Sequence, residues 1–106
     1  MIIFPRSIEM TYFKQGLFNV TVEFDDAVRQ AEGHIPLLVG DPAQQIDGKI
    51  DRSANLNKTP RIMGGAPLRD WFQANCHVGD IVYVDLTSKS EIRITKTDPR
   101  SESGNG

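Results

Sequence analysis

Phe18, Val20, Val22 and Phe24 alternate with Asn19, Thr21 and Glu23, and this two-residue period constrains the fold more than any other stretch of the chain. Successive side chains of a strand point to opposite faces, so residues 17–24 are predicted to form a strand with one buried face. Short β-prone runs recur further on. Residues 35–40 hold Ile35, Leu37, Leu38 and Val39, with Pro36 near the start, where a missing N–H does least harm. Ile46, Gly48 and Ile50 alternate through 44–50, and Arg61-Ile62-Met63 is a brief strand closed by Gly64-Gly65. The run 81–86, Ile-Val-Tyr-Val-Asp-Leu, is strongly β, and Ser88-Lys89-Ser90 turns it into a last strand patterned by Ile92 and Ile94.

Two segments read as helices. Asp25-Asp26 leads into 27–32, closed by Gly33: acid at the start and glycine just past the end mark a short helix. In 66–75, Pro67 suits the first helical position, while Leu68, Trp71 and Phe72 share one face. Many short strands with two short helices predict a mainly β barrel or half-barrel. At 106 residues, 39% hydrophobic and 25% charged, the chain fits one folded domain. Residues 1–96 are expected to be that domain, with the polar 97–106 as a flexible tail or the start of a linker.

Chemistry is sparse. One cysteine, Cys76, cannot make an internal disulfide. Its neighbour His77 is not expected to act as its base, because neighbours at a helix end usually diverge, and a free thiol usually packs as a small hydrophobe. His34 stands alone after Gly33, and one Cys with two His cannot fill a structural zinc site. Asp25-Asp26 is explained by helix capping and Asp80 by turn chemistry. No enzyme, metal or cofactor is expected. No apolar run approaches the ~18 residues of a membrane span, and the cytoplasm is the expected location.

Charge is uneven along the chain. Residues 23–47 carry six acids against Arg29, and 49–69 carry Lys49, Arg52, Lys58, Arg61 and Arg69 against Asp51. Two polar segments hold the residue types that read DNA. The first, 6–15, contains Arg6, Ser7, Thr11, Tyr12, Lys14 and Gln15; the second, 49–61, contains Lys49, Arg52, Ser53, Asn55, Asn57, Lys58, Thr59 and Arg61. Arg can grip guanine and Asn or Gln adenine, while Lys, Ser and Thr suit phosphate oxygens.

The run Tyr12-Phe13-Lys14-Gln15-Gly16-Leu17-Phe18-Asn19-Val20, the later Leu68-Arg69-Asp70-Trp71-Phe72 and then Val78-Gly79-Asp80-Ile81-Val82-Tyr83-Val84 together resemble the B3-like DNA-binding pseudobarrel. That family occurs in plant transcription factors and in effector domains of some restriction endonucleases. The resemblance covers about 4–95 in outline and implies a seven-stranded open barrel that straddles the major groove with two loops. By position these arms are 6–15 and 52–59. The implied function is non-catalytic, sequence-specific binding of double-stranded DNA, with any cleavage in a nuclease domain or partner subunit. Lys49, Lys58 and Arg61 would neutralise phosphates. Arg52, Asn55 and Asn57 would reach base edges, helped by Arg6, Lys14 and Gln15. Two alternatives remain. One is a protein-interaction module docking on an acidic partner. The other is a single-strand-binding barrel that stacks bases on Tyr12 and Tyr83.

Overall fold

A computed structural model describes residues 2–100. Seven strands form one mixed sheet: β1 (Ile2–Ser7), β2 (Leu17–Asn19), β3 (Gly33–Val39), β4 (Gln44–Asp51), β5 (Arg61–Met63), β6 (Ile81–Ser88) and β7 (Glu91–Thr95). Their order is β1-β6-β7-β3-β4-β5-β2; every neighbouring pair is antiparallel except β3 and β7. The sheet curls into a half-barrel, as the mainly β reading predicts.

The curl follows from which side chains share a face. Ile35, Leu37 and Val39 of β3, Val82, Val84 and Leu86 of β6, and Ile92 and Ile94 of β7 are all buried. Register brings Leu37 opposite Ile92 and Val84 opposite Ile94, while Ile50, Ile62 and Phe18 make one row across β4, β5 and β2. One face is therefore continuously apolar and must bend around its own core. Position 48 falls on that face and is held to glycine, because a Cβ there would stand 2.6 Å from Leu37 Cγ.

Two α-helices, α1 (Met10–Gln15) and α2 (Gly65–Asn75), pack on each other, and a 3₁₀ turn spans Val22–Ala27. In α2, Leu68 and Phe72 are buried and Trp71 partly so, as their spacing predicts. Pro67 falls third in the helix rather than first; its missing N–H is still one of the first-turn donors that have no helical partner. Gly16 ends α1 at φ 72°, its N–H bonded to Tyr12 O at 2.8 Å. A Cβ on Gly16 would stand 2.2 Å from Gly65 O, so glycine is what lets the two helices touch.

Three expectations need correction. The strand predicted over 17–24 stops at Asn19. Its partner β5 begins after Pro60, whose carbonyl accepts from Val20 N–H but which has no N–H to return. The chain then turns: Val22 is 69% exposed, and Phe24 leaves the alternation to stack on Phe4 at 4.8 Å. The helix predicted over 27–32 does not form either. Val28 is extended, and the carbonyls of Val28 and Arg29 accept from the Arg52 guanidinium instead of from helical amides. Asp25, expected to cap that helix, faces Arg52. Finally, 6–15 is not a free loop: β1 runs to Ser7, and Tyr12 turns into the core as part of α1.

Cys76 is a buried thiol beside an exposed imidazole, and burial pushes that thiol up. Asp80 accepts from His77 N–H at 2.8 Å, a local turn. Among the described residues no group of His, Cys, Asp and Glu could hold a metal ion, and no helix is long and apolar enough to cross a membrane. The expected tail falls partly outside the described residues, at 101–106; Arg100 bonds the backbone carbonyl of Ile3 at 3.2 Å.

Candidate functional site

The outermost strands, β1 and β2, are not paired with each other, so the half-barrel has an open seam. Residues 8–16 cross it, and Tyr12 closes it. Its hydroxyl accepts from Arg6 Nη2 on the β1 side at 2.6 Å and from the Asn19 N–H on the β2 side at 3.4 Å. Tyr12 is 1% exposed, so this hydroxyl is an interior acceptor for an edge amide that would otherwise be orphaned. The Arg6 guanidinium also lies 5.5 Å from the ring centroid, a cation–π contact, and 3.9 Å from Glu9.

The polar chain continues through the Asn19 side chain. Asn19 Oδ1 accepts from Asn55 Nδ2 and from Arg61 Nε, both at 3.2 Å. Asn55 Nδ2 also reaches the Thr59 carbonyl at 3.1 Å, and Asn57 Oδ1 accepts from the Thr59 N–H and hydroxyl. Ser53 donates its N–H and hydroxyl to Asp51 Oδ1, which holds that carboxyl below the usual range. Lys58 takes φ 64°, and its N–H closes onto Asn55 O at 3.1 Å. The stretch 52–60 is thus a braced loop.

Its anchor is Arg52, only 8% exposed. One guanidinium nitrogen bonds the Asp25 carboxylate, and the other reaches Val28 O at 2.9 Å and Arg29 O at 3.0 Å. The Arg52 N–H donates to Glu32 Oε2 at 2.6 Å. This residue ties the loop to the segment before β3.

The predicted site residues therefore divide. Tyr12, Arg52 and Thr59 are buried, while Arg6, Asn55 and Arg61 are half-buried in the network. Ser7, Lys14, Gln15, Lys49, Ser53, Asn57 and Lys58 are exposed. Lys49 shares the outer face of β4 with Asp51, which pairs across to Arg61 and through it to Asn19. Asn19 is only four positions beyond Gln15, so the end of α1 lies within ~14 Å of the braced loop's contact point. The residue that sequence reasoning missed is Asn19. It occupies a polar slot in an alternating strand, which by itself marks only a solvent-facing side chain. With Tyr12 buried, the pair of aromatic platforms required for single-strand stacking is reduced to Tyr83.

No family model matches the chain, and no curated protein matches it. Among solved structures it is similar to the N-terminal domain of LlaJI.R1 from Helicobacter pylori, with a TM-score of 0.62 and 14% identity over 98% of this chain and 88% of that one. At that identity the likeness is one of fold.

Proposed function

We propose that the chain is a B3-like module that binds double-stranded DNA sequence-specifically, through the braced loop 52–60, the outer face of β4 and β5, and the end of α1. It breaks no bond itself, and any cleavage belongs to another domain or partner. The observation that carries this reading is the unbroken hydrogen-bond path from Arg6 through Tyr12 and Asn19 to Asn55 and Arg61, which joins two polar segments that are far apart in sequence. The fold likeness to the N-terminal domain of LlaJI.R1 agrees with the half-open barrel that this reading needs.

Within this reading the exposed cations Lys14, Lys49 and Lys58, with Arg61, neutralise phosphates and set register. Asn57, Ser53 and Gln15 keep side-chain groups at the surface and reach base edges. Arg52 contributes by holding the loop in shape, since its guanidinium is turned inward. Four phosphate contacts predict a slope of log K against log salt of about −3.6. The test is a titration of duplexes selected from a random pool at several salt concentrations. Lys58→Ala should reduce the slope by about 1 for every sequence, and Gln15→Ala, which leaves the loop's bracing intact, should cost about 1–3 kcal/mol at one base position. A slope near zero, or no duplex retained at low salt, overturns the proposal.

A further inference from the structure

Away from the loop network, a cleft of about 660 Å³ opens between the Trp71 side of α2, the turn after β3 and the outer face of β6 and β7. It shares no residue with the interface above. Its volume falls within the range of small-molecule sites.

At the sheet side of the cleft is Asp85. Val84 and Leu86 point into the core, so Asp85 is on the outer face, yet it is only 6% exposed. Its Oδ1 is buried without a hydrogen-bond partner among the described residues. A buried carboxylate oxygen left unpaired costs stability and calls for an explanation. Arg93 stands directly opposite in the β6–β7 register but makes no ion pair with it among the described residues. Trp71 supplies an aromatic wall, and Gly40, at φ 86°, lets the indole edge approach: a Cβ there would stand 3.0 Å from Trp71 Nε1. Lys96, bonded to Asn75 O at 2.6 Å, adds a second cation.

We propose that this cleft binds a guanine nucleotide, with Asp85 accepting from the base edge, Trp71 against its face, and Arg93 and Lys96 on the phosphate. An ionised carboxylate only accepts, so it needs adjacent donors. Guanine places its ring N1–H beside its amino group, whereas adenine and cytosine set a donor beside an acceptor. The indole suits a planar, partly apolar ring, and the cations suit the ligand's phosphate.

Trp71 is the chain's single tryptophan, so its indole N–H signal and its fluorescence report one wall of this cleft without interference from another tryptophan. In the full chain, GMP should shift the indole signal with a Kd below roughly 1 mM. AMP should bind about tenfold or more weakly, because a site built for two donors rejects a ligand that lacks them, and ribose 5-phosphate should leave the signal unmoved. Asp85→Asn should abolish the preference for GMP over AMP with the circular dichroism spectrum unchanged. Arg93→Gln should lower GMP affinity toward that of guanosine, and adding Lys96→Gln should bring the two level. A thymidine strand with one guanine that displaces GMP identifies the source as nucleic acid; a strand that cannot displace it identifies a free nucleotide. An indole signal unmoved at about 5 mM GMP, equal responses to GMP and AMP, or a preference surviving Asp85→Asn would each overturn the assignment.

Discussion

Replacing Arg52 with alanine tests the idea that the loop 52–60 is anchored from inside. The substitution removes the partner of the Asp25 carboxylate and leaves the carbonyls of Val28 and Arg29 without their donor. Breaking a buried ion pair by deleting one member costs about 3–5 kcal/mol. The Asp25 side chain is 29% exposed and recovers some water, which puts the expected loss at the low end, about 3 kcal/mol. For a domain of this size that lowers the thermal midpoint by roughly 12–20 °C. Urea unfolding followed by circular dichroism measures the loss, and Arg52→Met, which keeps the packed stem, should lose nearly as much. A double-mutant cycle with Asp25→Asn should give a coupling energy of at least about 1 kcal/mol. Under conditions where both proteins are folded, Arg52→Met should weaken duplex binding equally for all sequences. A stability loss below about 1 kcal/mol, or a loss of preference at one base position, would refute the anchoring argument.

Three further outcomes follow from the same structure. Tyr12→Phe removes the acceptor shared by Arg6 Nη2 and the Asn19 N–H; it should cost about 1–2 kcal/mol and speed amide exchange at Asn19, and unchanged exchange there would contradict the seam contact. Gly16→Ala forces a Cβ to 2.2 Å from Gly65 O at a left-handed φ, so α1 and α2 must separate; a loss of more than about 3 kcal/mol is expected in thermal melts, and a mild effect would mean the helices can part freely. Asp85→Asn should raise the melting midpoint at pH 7. Burial lifts the folded carboxyl above its ordinary value near 3.8 and Arg93 only partly offsets this, so folding penalises the ionised form above that value. The gain should vanish at about pH 3, where the carboxyl is protonated in both states, and a gain that persists there would rule out ionisation as its cause.

Much of the sheet was legible because its strands alternate against a single core. Ile35, Leu37 and Val39 declare β3, and Ile46, Gly48 and Ile50 declare β4, with no knowledge of their neighbours. Arg61-Ile62-Met63 was read at its observed limits. The failures share a cause. Residues 20–24 carry a strand pattern, but β5 is three residues long and preceded by a proline, so no ladder is available beyond Val20. Residues 27–32 carry helix-end signals, but Arg52, two dozen positions later, takes the carbonyls that a helix needs. Local signals state what a segment can do; a long-range partner decides what it does. The candidate site was half legible for the same reason. Arg, Asn and Thr were recognised as polar-contact residues, but nothing in 49–61 says that Arg52 and Thr59 point inward or that Asn55 meets Asn19.

Internal pairing leaves the net charge at −2 but decides which charges stay available to the proposed polyanion partner. Counted along the chain, acids at 23–47 and bases at 49–69 look like two opposed halves. In the fold the halves interlock: Asp25 is neutralised by the Arg52 side chain, and Glu32 accepts from its N–H. Arg69 pairs with Asp70, which removes another base from the count. What remains at the loop network is Lys49, Lys58 and Arg61, joined by Lys14 from α1. Bracing matters as much as charge here, because a loop already held by Asn55, Asn57 and Thr59 has little freedom left to lose when it docks. If the loop is a binding arm, the acids nearby are part of what shapes it.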